Sequence, residues 1–288
     1  METMRADYPL LLVPHLAKRV WGEGALGEGI GEAWDLSVHA NGLTRIANGA
    51  LKGRTLKEIA DARPEDFGGP IRLLAKRLDC GENLSVQVHP KSGQPKTEAW
   101  IVLQARPAAG VYHGFARPTN AEEVRSAAGD DTLPGLLRFL TVHTGECVFV
   151  PSGIVHAIGG GLFLFEIQQS ADVTYRLYDW GRDRPLHLEE GLACSDFGAI
   201  EARPFPRPQP DGSLRLVACD HFRVDRVDTH KPYRLDPEST WCALLLVAGA
   251  AQVAGVHMRP GESVLLPRAA GVRHLEPKGA CTALVYRP

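Results

Sequence analysis

The sequence predicts a mainly β protein, arranged as two related jelly-roll barrels in tandem with a few helices in the N-terminal half. Apolar runs are short, and 30 glycines and 21 prolines punctuate the 288 residues. Many short strands joined by turns give this pattern. The order of glycine, short strand, proline and histidine at residues 145–156 recurs at residues 261–274. A repeat of this kind indicates two copies of one small antiparallel barrel.

A proline-rich stretch divides the chain in this interpretation. Residues 203–212 hold four prolines, which favour an extended linker. We therefore predict one domain over residues 1–202 and a second over residues 213–288.

Local signals predict the helices and several strands. Residues 55–62 are typical of a short helix that Pro64 ends or restarts. Thr119-Asn-Ala-Glu122 fits a capping box that opens a second helix ending near Ala128. The clearest strands are expected at residues 84–88, 97–103, 136–143, 162–168, 213–217, 222–227, 242–247, 263–266 and 281–286.

Composition excludes several classes of function. The 32 basic residues nearly balance the 34 acidic ones, and no basic cluster favours nucleic acid or a membrane surface. No apolar run is long enough to span a bilayer. The six cysteines are scattered, without a Cys-x-x-Cys pair, and are typical of reduced side chains in a cytoplasmic protein. Any metal would therefore have nitrogen and oxygen ligands.

Two neighbouring strands carry residues that can bind a metal. Gln87 and His89 alternate with valines, so they share one face of a strand together with Ser85. A turn-rich loop follows, and the next strand begins near Glu98. These two strands can present an amide, an imidazole and a carboxylate to one point.

The repeat adds a second imidazole. His156 follows the proline turn of the first copy, and in a small barrel its strand can lie beside the other two. Gln87, His89, Glu98 and His156 would then suit one Zn²⁺ with an open position, and Fe²⁺ or Mn²⁺ would fit nearly as well. An isolated histidine in a strand is more often simply packed or solvated. The C-terminal copy offers no ligand on its preceding strand, residues 241–247, so we expect it to be metal-free.

A third segment, residues 166–182, is rich in functional side chains. Glu166 and Gln168 share a strand face, and Arg176 lies on a second strand after a turn. An arginine that faces a barrel interior needs an anion. Arg182 is interpreted first as a partner in a surface ion pair.

The chain resembles the type I phosphomannose isomerases, specifically the short bacterial branch with two cupin domains. The resemblance runs from about residue 8 to the end. It rests on Gln-Val-His-Pro (87–90), Lys-Thr-Glu-x-Trp (96–100), Pro-Ser-Gly-x-Val-His-Ala-Ile (151–158), Glu-Ile-Gln-Gln-Ser-x-Asp-Val-Thr-Tyr-Arg-Leu-Tyr-Asp (166–179), Val-Trp-Gly (20–22) and Gly-Glu-x-Trp-Asp-x-Ser (31–37).

This resemblance implies a fold, a cofactor and a reaction. The fold would be two tandem cupin domains, the second degenerate. Zinc would bind Gln87, His89, Glu98 and His156, and Arg176 would be the catalytic arginine. Glu166 and Lys96 match further polar residues of the family's cleft. The loop between His89 and Glu98 is shorter than is usual in the family, and Ala33 replaces a common serine.

The expected reaction interconverts mannose 6-phosphate and fructose 6-phosphate through a cis-enediolate. Glu166 is the better base by chemistry, and Lys96 can serve if burial lowers its pKa. Ser37, Lys96 and Arg182 are candidates for the phosphate contact. The partner would be a small sugar phosphate, and the protein would be a monomer or homodimer. The alternatives are an isomerase of another sugar, a non-catalytic sugar-binding double cupin, and an Fe²⁺ oxygenase.

Overall fold

The computed structural model describes residues 4–200, 206–236 and 240–288, and it is mainly β, as the sequence predicts. The described strands are β1 Leu10–Val13, β2 His15–Lys18, β3 Ile30–Leu36, β4 Arg45–Ile46, β5 Leu73–Cys80, β6 Val86–Val88, β7 Glu98–Ala105, β8 Gly110–Phe115, β9 Leu137–Thr141, β10 Cys147–Val150, β11 His156–Ile158, β12 Leu162–Gln169, β13 Tyr175–Tyr178, β14 Arg207–Pro208, β15 Leu214–Ala218, β16 Arg223–Thr229, β17 Tyr233–Leu235, β18 Cys242–Ala248, β19 Ala251–Val253, β20 Val256–Met258, β21 Ser263–Leu266, β22 Arg273–Pro277 and β23 Cys281–Arg287. The helices are α1 Leu56–Ala62, α2 Ala121–Gly129 and α3 Leu188–Cys194.

The chain groups into two compact units. The central unit comprises Leu16–Ala33 and Lys76–Pro204, and the C-terminal unit comprises Met1–His15, Trp34–Ala75 and Phe205–Pro288. This grouping differs from the predicted division at residues 203–212, because β1 pairs with β21 and so joins the start of the chain to its end. Of the predicted linker, residues 203–205 lie outside the described residues, and β14 forms a short hairpin with β15.

The C-terminal unit packs two antiparallel sheets around an apolar core. Its eight-stranded sheet has the order β14-β15-β16-β23-β18-β21-β1-β4, and its four-stranded sheet has the order β17-β22-β19-β20. Side chains from both sheets share one cluster, which includes Leu235, Cys242, Leu266 and Leu275. Burial of this apolar surface stabilises the unit.

The central unit also has two sheets, and their apolar side chains meet in one cluster. Strands β10-β7-β12-β5-β3-β2 form the six-stranded sheet, and β13-β6-β11-β8-β9 form the five-stranded one. A second cluster packs α2 and α3 against the five-stranded sheet, with Val86 and Val88 in contact with that layer. Because strand residues alternate, Gln87 between the two valines points the other way, as predicted.

The sequence signals predicted some of the helices and helix caps correctly and others not. Thr55 caps α1 with a full capping box to Glu58, as the residue pattern predicts. The predicted cap of α2 is wrong by one residue, because the Asn120 side chain accepts from the Glu123 backbone and Thr119 instead contacts the Glu123 carboxylate. Helix α3 was not predicted, since it has no side-chain cap and contains a glycine. Among the described residues, no helix has the length and apolarity needed to cross a membrane.

Candidate metal centre and active-site cleft

Three buried side chains of the central unit converge on one point. His89 follows β6, Glu98 opens β7 and His156 opens β11. One ligand atom from each lies within 4.8 Å of the others. The Nε2 atoms of both histidines lie 3.4 Å from the Glu98 carboxylate oxygens. Each residue is at most 1% exposed, so the cluster is withdrawn from solvent.

Strand pairing brings Gln87 to the same cluster. In the pairing of β11 with β6, His156 lies opposite Gln87, and the Gln87 Nε2 atom is 3.3 Å from His156 Nε2. The Gln87 Oε1 atom accepts a hydrogen bond from Ser85 at 3.2 Å. The amide would have to turn over before its oxygen could face the cluster. The structure therefore brings all four predicted ligands together, with the amide reversed.

Backbone carbonyls determine which imidazole nitrogens carry the protons. Nδ1 of His89 is 2.9 Å from the Val173 carbonyl, and Nδ1 of His156 is 2.8 Å from the Ile154 carbonyl. A carbonyl oxygen only accepts, so each Nδ1 must carry the hydrogen. The Nε2 lone pairs then point to Glu98, which is the orientation of metal-binding histidines.

Burial keeps both imidazoles neutral. Loss of hydration lowers the pKa of His156 to about 3, although the Glu98 carboxylate opposes this shift. The pKa of His89 is lowered by burial and by the nearby Lys96 charge. Neutral imidazole is the form that binds a metal ion.

The Glu98 carboxylate is ionised despite complete burial. Burial alone would raise its pKa, but the Lys96 ammonium, 2.8 Å away, holds it well below the usual value. Neither carboxylate oxygen has a well-directed hydrogen bond among the described residues. Buried carboxylate oxygens left in this state fit a bound cation.

An open cleft of about 450 Å³ adjoins the cluster. Cations and carboxylates line it together with Ser85, Gln87 and a few apolar side chains. Its charged residues are Arg19, Glu32, Lys76, Lys96, Glu166, Asp172, Arg176 and Arg184. Five are cationic and three are anionic, a balance that favours an anionic ligand.

Glu166 is held at the cleft wall by two donors. The Trp100 indole N–H donates to its Oε2 at 3.2 Å, and the Lys76 ammonium lies 3.5 Å from its Oε1. Burial and repulsion from Glu98 raise the pKa of Glu166, although Lys96 and Lys76 oppose the shift. The Trp100 ring also packs edge-on against His156, with ring centroids 5.4 Å apart. One tryptophan thus contacts both the carboxylate and the histidine cluster.

The remaining predicted residues lie in different places. Arg176 lines the cleft, and its Nη1 donates to the Pro185 carbonyl at 2.6 Å. Arg182 lies outside the residues that line the cleft, and it pairs with Asp179 at 3.2 Å as the ion-pair interpretation predicts. Ser37 is fully buried in the C-terminal unit, where its hydroxyl accepts from the His39 backbone.

Sequence reasoning missed five charged residues of the cleft, which are Arg19, Glu32, Lys76, Asp172 and Arg184. Lys76 is buried within the apolar strand β5, and a lysine inside such a run was the available signal. Arg19 and Glu32 form an ion pair at 2.9 Å. Their separation of thirteen residues carries no local pattern, so only the pairing of distant segments reveals it.

Comparison with known proteins identifies the family. The model of phosphomannose isomerase type I, catalytic domain, matches residues 20–150. Mannose-6-phosphate isomerase ManA of Bacillus subtilis is 31% identical, over 95% of this chain and 97% of its own length. The chain belongs to the type I phosphomannose isomerase family.

Solved structures of the type I phosphomannose isomerase fold agree with this conclusion. The crystal structure of the mannose 6-phosphate isomerase from Bacillus subtilis has a TM-score of 0.90 and 26% identity, over 98% of this chain and 100% of that one. A zinc-bound mannose 6-phosphate isomerase superposes with a TM-score of 0.79 at 15% identity, over 97% of this chain and 99% of that one. The cupin fold predicted from the sequence is therefore confirmed.

Proposed function

We propose that this protein is a metal-dependent isomerase that interconverts mannose 6-phosphate and fructose 6-phosphate. The buried cluster of His89, Glu98 and His156, beside a cleft rich in cations, is the observation that carries the proposal. Membership of the phosphomannose isomerase family supports the same substrate.

The donor set fits a divalent cation. Two neutral imidazole nitrogens and one ionised carboxylate converge, and the carboxylate oxygens have no well-directed donor among the described residues. We assign His89, Glu98 and His156 as ligands, with Gln87 as a fourth through its amide oxygen. The ligands suit Zn²⁺, and the zinc-bound relative favours that ion over Fe²⁺ or Mn²⁺. When bound, the ion would polarise the hydroxyl and carbonyl oxygens of the sugar as a Lewis acid.

Glu166 is the proposed base that moves the proton between C2 and C1. Its raised pKa places the carboxylate closer to the pH at which a base works best. Trp100 and Lys76 hold it at the cleft wall. After it removes the C2 proton, the same carboxyl can return that proton to C1. The hydroxyl proton must also pass from O2 to O1, so a second proton transfer between these two oxygens completes the reaction.

Lys96 and Arg176 are proposed to stabilise the enediolate charge. Burial would lower the pKa of Lys96, but Glu98 and Glu166 outweigh that effect and raise it, so Lys96 is a cation rather than a base. The Arg176 guanidinium lines the cleft and stays protonated at physiological pH. Two fixed cations near the developing oxyanion lower the barrier without reorganisation.

Some predictions remain untested. Ser37 and Arg182 as substrate contacts, a cytoplasmic location, and the choice between monomer and homodimer stay predictions from the sequence. A non-catalytic sugar binder would have no need of a held carboxylate such as Glu166 beside the metal ligands. An Fe²⁺ oxygenase would consume oxygen with its substrate.

A coupled assay tests the proposal. Purified protein should convert mannose 6-phosphate to fructose 6-phosphate, lose activity with a chelator, and regain it when Zn²⁺ is added back. Glu166→Gln should reduce kcat by roughly a hundredfold, because a general base typically contributes at least that much. As a control, the Glu166→Gln variant should contain as much bound metal as the wild type. An absence of turnover by the zinc-loaded protein would refute the isomerase, and oxygen uptake would favour the oxygenase.

A further inference from the structure

One buried carboxylate organises a pair of arginines at the edge of the cleft. Asp179 is 3% exposed. The Arg184 guanidinium contacts it in a bidentate manner, with Nε and Nη2 each 2.6 Å from a carboxylate oxygen. Arg182 Nη2 lies 3.2 Å from the same carboxylate. One buried carboxylate thus orients both guanidinium groups.

The loop that carries these arginines is tightly braced. Trp180 has a left-handed backbone, with φ of 57°, and Gly181 follows with φ of 75°. The Trp180 indole N–H donates to the Leu84 carbonyl at 2.7 Å. The Arg182 backbone N–H donates to the Asp179 backbone carbonyl at 3.0 Å. A non-glycine residue in this conformation persists only where its surroundings hold it. This bracing fixes the backbone of the turn beside Arg182 and Arg184, and Asp179 orients their guanidinium groups.

The two arginines point to different surroundings. Arg182 turns away from the cleft, where its Nη2 donates to the Asn83 carbonyl at 2.5 Å and its Nη1 lies 3.6 Å from Glu82. Arg184 lines the cleft, as Arg176 does. Both Arg182 and Arg184 contact Asp179, but it is the guanidinium group of Arg184 that faces the cleft.

The Arg184 guanidinium has hydrogen-bond donors that no described residue engages. Its Nε and Nη2 contact Asp179, and no described residue accepts from its Nη1. Arg176 contributes a second guanidinium, and among the described residues its buried Nε lacks a hydrogen-bond partner. Two guanidinium groups that face one cleft repel each other, and an anion with several oxygens relieves this repulsion.

The other cations of the cleft are already neutralised. Arg19 pairs with Glu32 at 2.9 Å, Lys76 with Glu166 at 3.5 Å, and Lys96 with Glu98 at 2.8 Å. Arg184 pairs with Asp179, but that carboxylate is shared with Arg182. Asp172 is the remaining anion of the cleft lining, and Arg184 and Arg176 are the cleft cations with donors that the described contacts do not engage.

We infer that Arg184, oriented by Asp179, binds the phosphate group of the substrate. This assignment rests on the proposed function, since it supposes a phosphorylated sugar. It makes Arg184 the residue that selects a sugar phosphate over the free sugar, and it assigns Asp179 as the residue that positions Arg184.

The test compares matched arginine variants of the zinc-loaded protein. Arg184→Gln should raise the KM for mannose 6-phosphate roughly tenfold to a hundredfold, the usual effect of losing a charge-assisted hydrogen bond. The kcat should change much less. Calorimetric affinity for inorganic phosphate should weaken by a similar factor, whereas kcat/KM for unphosphorylated mannose should stay as in the wild type. Arg184→Lys, which keeps the charge and perturbs Asp179 less, should fall between the two.

Two further variants make the test decisive. Arg125→Gln removes one positive charge from an exposed pair with Glu189 in the same unit, and it should leave the phosphate affinity unchanged. Arg182→Gln probes the neighbour that shares Asp179. If Arg182→Gln weakens phosphate binding as much as Arg184→Gln, or if Arg184→Gln leaves phosphate affinity intact, the assignment is overturned. Failure of the isomerase proposal looks different, because the wild type would then bind phosphate without turning over mannose 6-phosphate.

Discussion

The two copies of the internal repeat keep the same strand pairing and differ in what their strands carry. In the central unit, β10 pairs with β7 so that Val150 lies opposite Glu98. In the C-terminal unit, β21 pairs with β18 so that Leu266 lies opposite Cys242. Cys242 therefore holds the position that Glu98 holds in the other copy, and it packs into an apolar core.

The histidines of the two copies also differ, because one is buried in a polar cluster and the other is exposed. His156 is 1% exposed and faces the Glu98 cluster. His274 is exposed and pairs across the sheet with Arg234, while its neighbour Leu275 fills the core. The interval from proline to histidine is five residues in the first copy and seven in the second. The fold is thus retained where the polar site is replaced by packed apolar side chains.

The largest expected effect comes from removing a ligand in one copy only. His156→Ala should lose bound metal and reduce kcat by on the order of a thousandfold, because the Lewis acid supplies several kcal/mol. The matched variant His274→Ala should keep both metal and activity, since its imidazole is exposed. Metal analysis and the coupled assay measure the two effects. Stoichiometric metal in His156→Ala would contradict the ligand assignment.

Arg176→Ala should separate chemistry from metal binding within the central unit. The guanidinium lines the cleft without belonging to the histidine cluster, so the variant should keep its metal and its circular dichroism spectrum. We expect kcat to fall by roughly a hundredfold, as when one oxyanion donor is removed. Near-normal turnover would remove Arg176 from the mechanism.

Leu266→Ala should show that the C-terminal copy contributes stability. This fully buried leucine lies opposite Cys242 in the apolar core, and its truncation should cost about 2–5 kcal/mol of the free energy of unfolding. Urea denaturation followed by circular dichroism measures the loss, and metal content should not change. Val272→Ala, at a residue 40% exposed, provides the control and should cost less than about 0.5 kcal/mol. Equal costs for the two variants would argue against a packed core at Leu266.

Acidification should destabilise the metal-free protein through the buried histidines. Burial lowers the pKa of His156 to about 3, against 6.5 for an exposed imidazole. Between these pH values only the unfolded chain takes up the proton, so stability falls as the pH decreases below 6.5. The loss for this residue should be on the order of 2 kcal/mol at pH 5. Urea midpoints of the chelator-treated protein at pH 7.5 and pH 5 measure it, and His156→Gln should reduce the difference. An unchanged difference in that variant would show that His156 does not titrate in this way.

The sequence by itself determined the chemistry of the site and much of the local structure. Alternation in β6 predicted that Gln87 faces away from Val86 and Val88, and the repeat predicted that His156 joins the same site. The Thr55 cap was readable because a capping box is a contact between residues three apart. Each of these predictions depends on neighbours in sequence or on a repeated pattern.

Tertiary structure alone decided which distant segments meet. The pairing of Leu10 with Leu265 assigns the first strand to the C-terminal unit, and no local pattern encodes a partner so far along the chain. The choice between Arg182 and Arg184 at the cleft follows from the turn at Trp180 and its bond to Leu84. Lys76 likewise meets Glu166 only because β5 lies beside β12. Side-chain type follows from sequence, but direction and partner depend on strand order, which long-range packing determines.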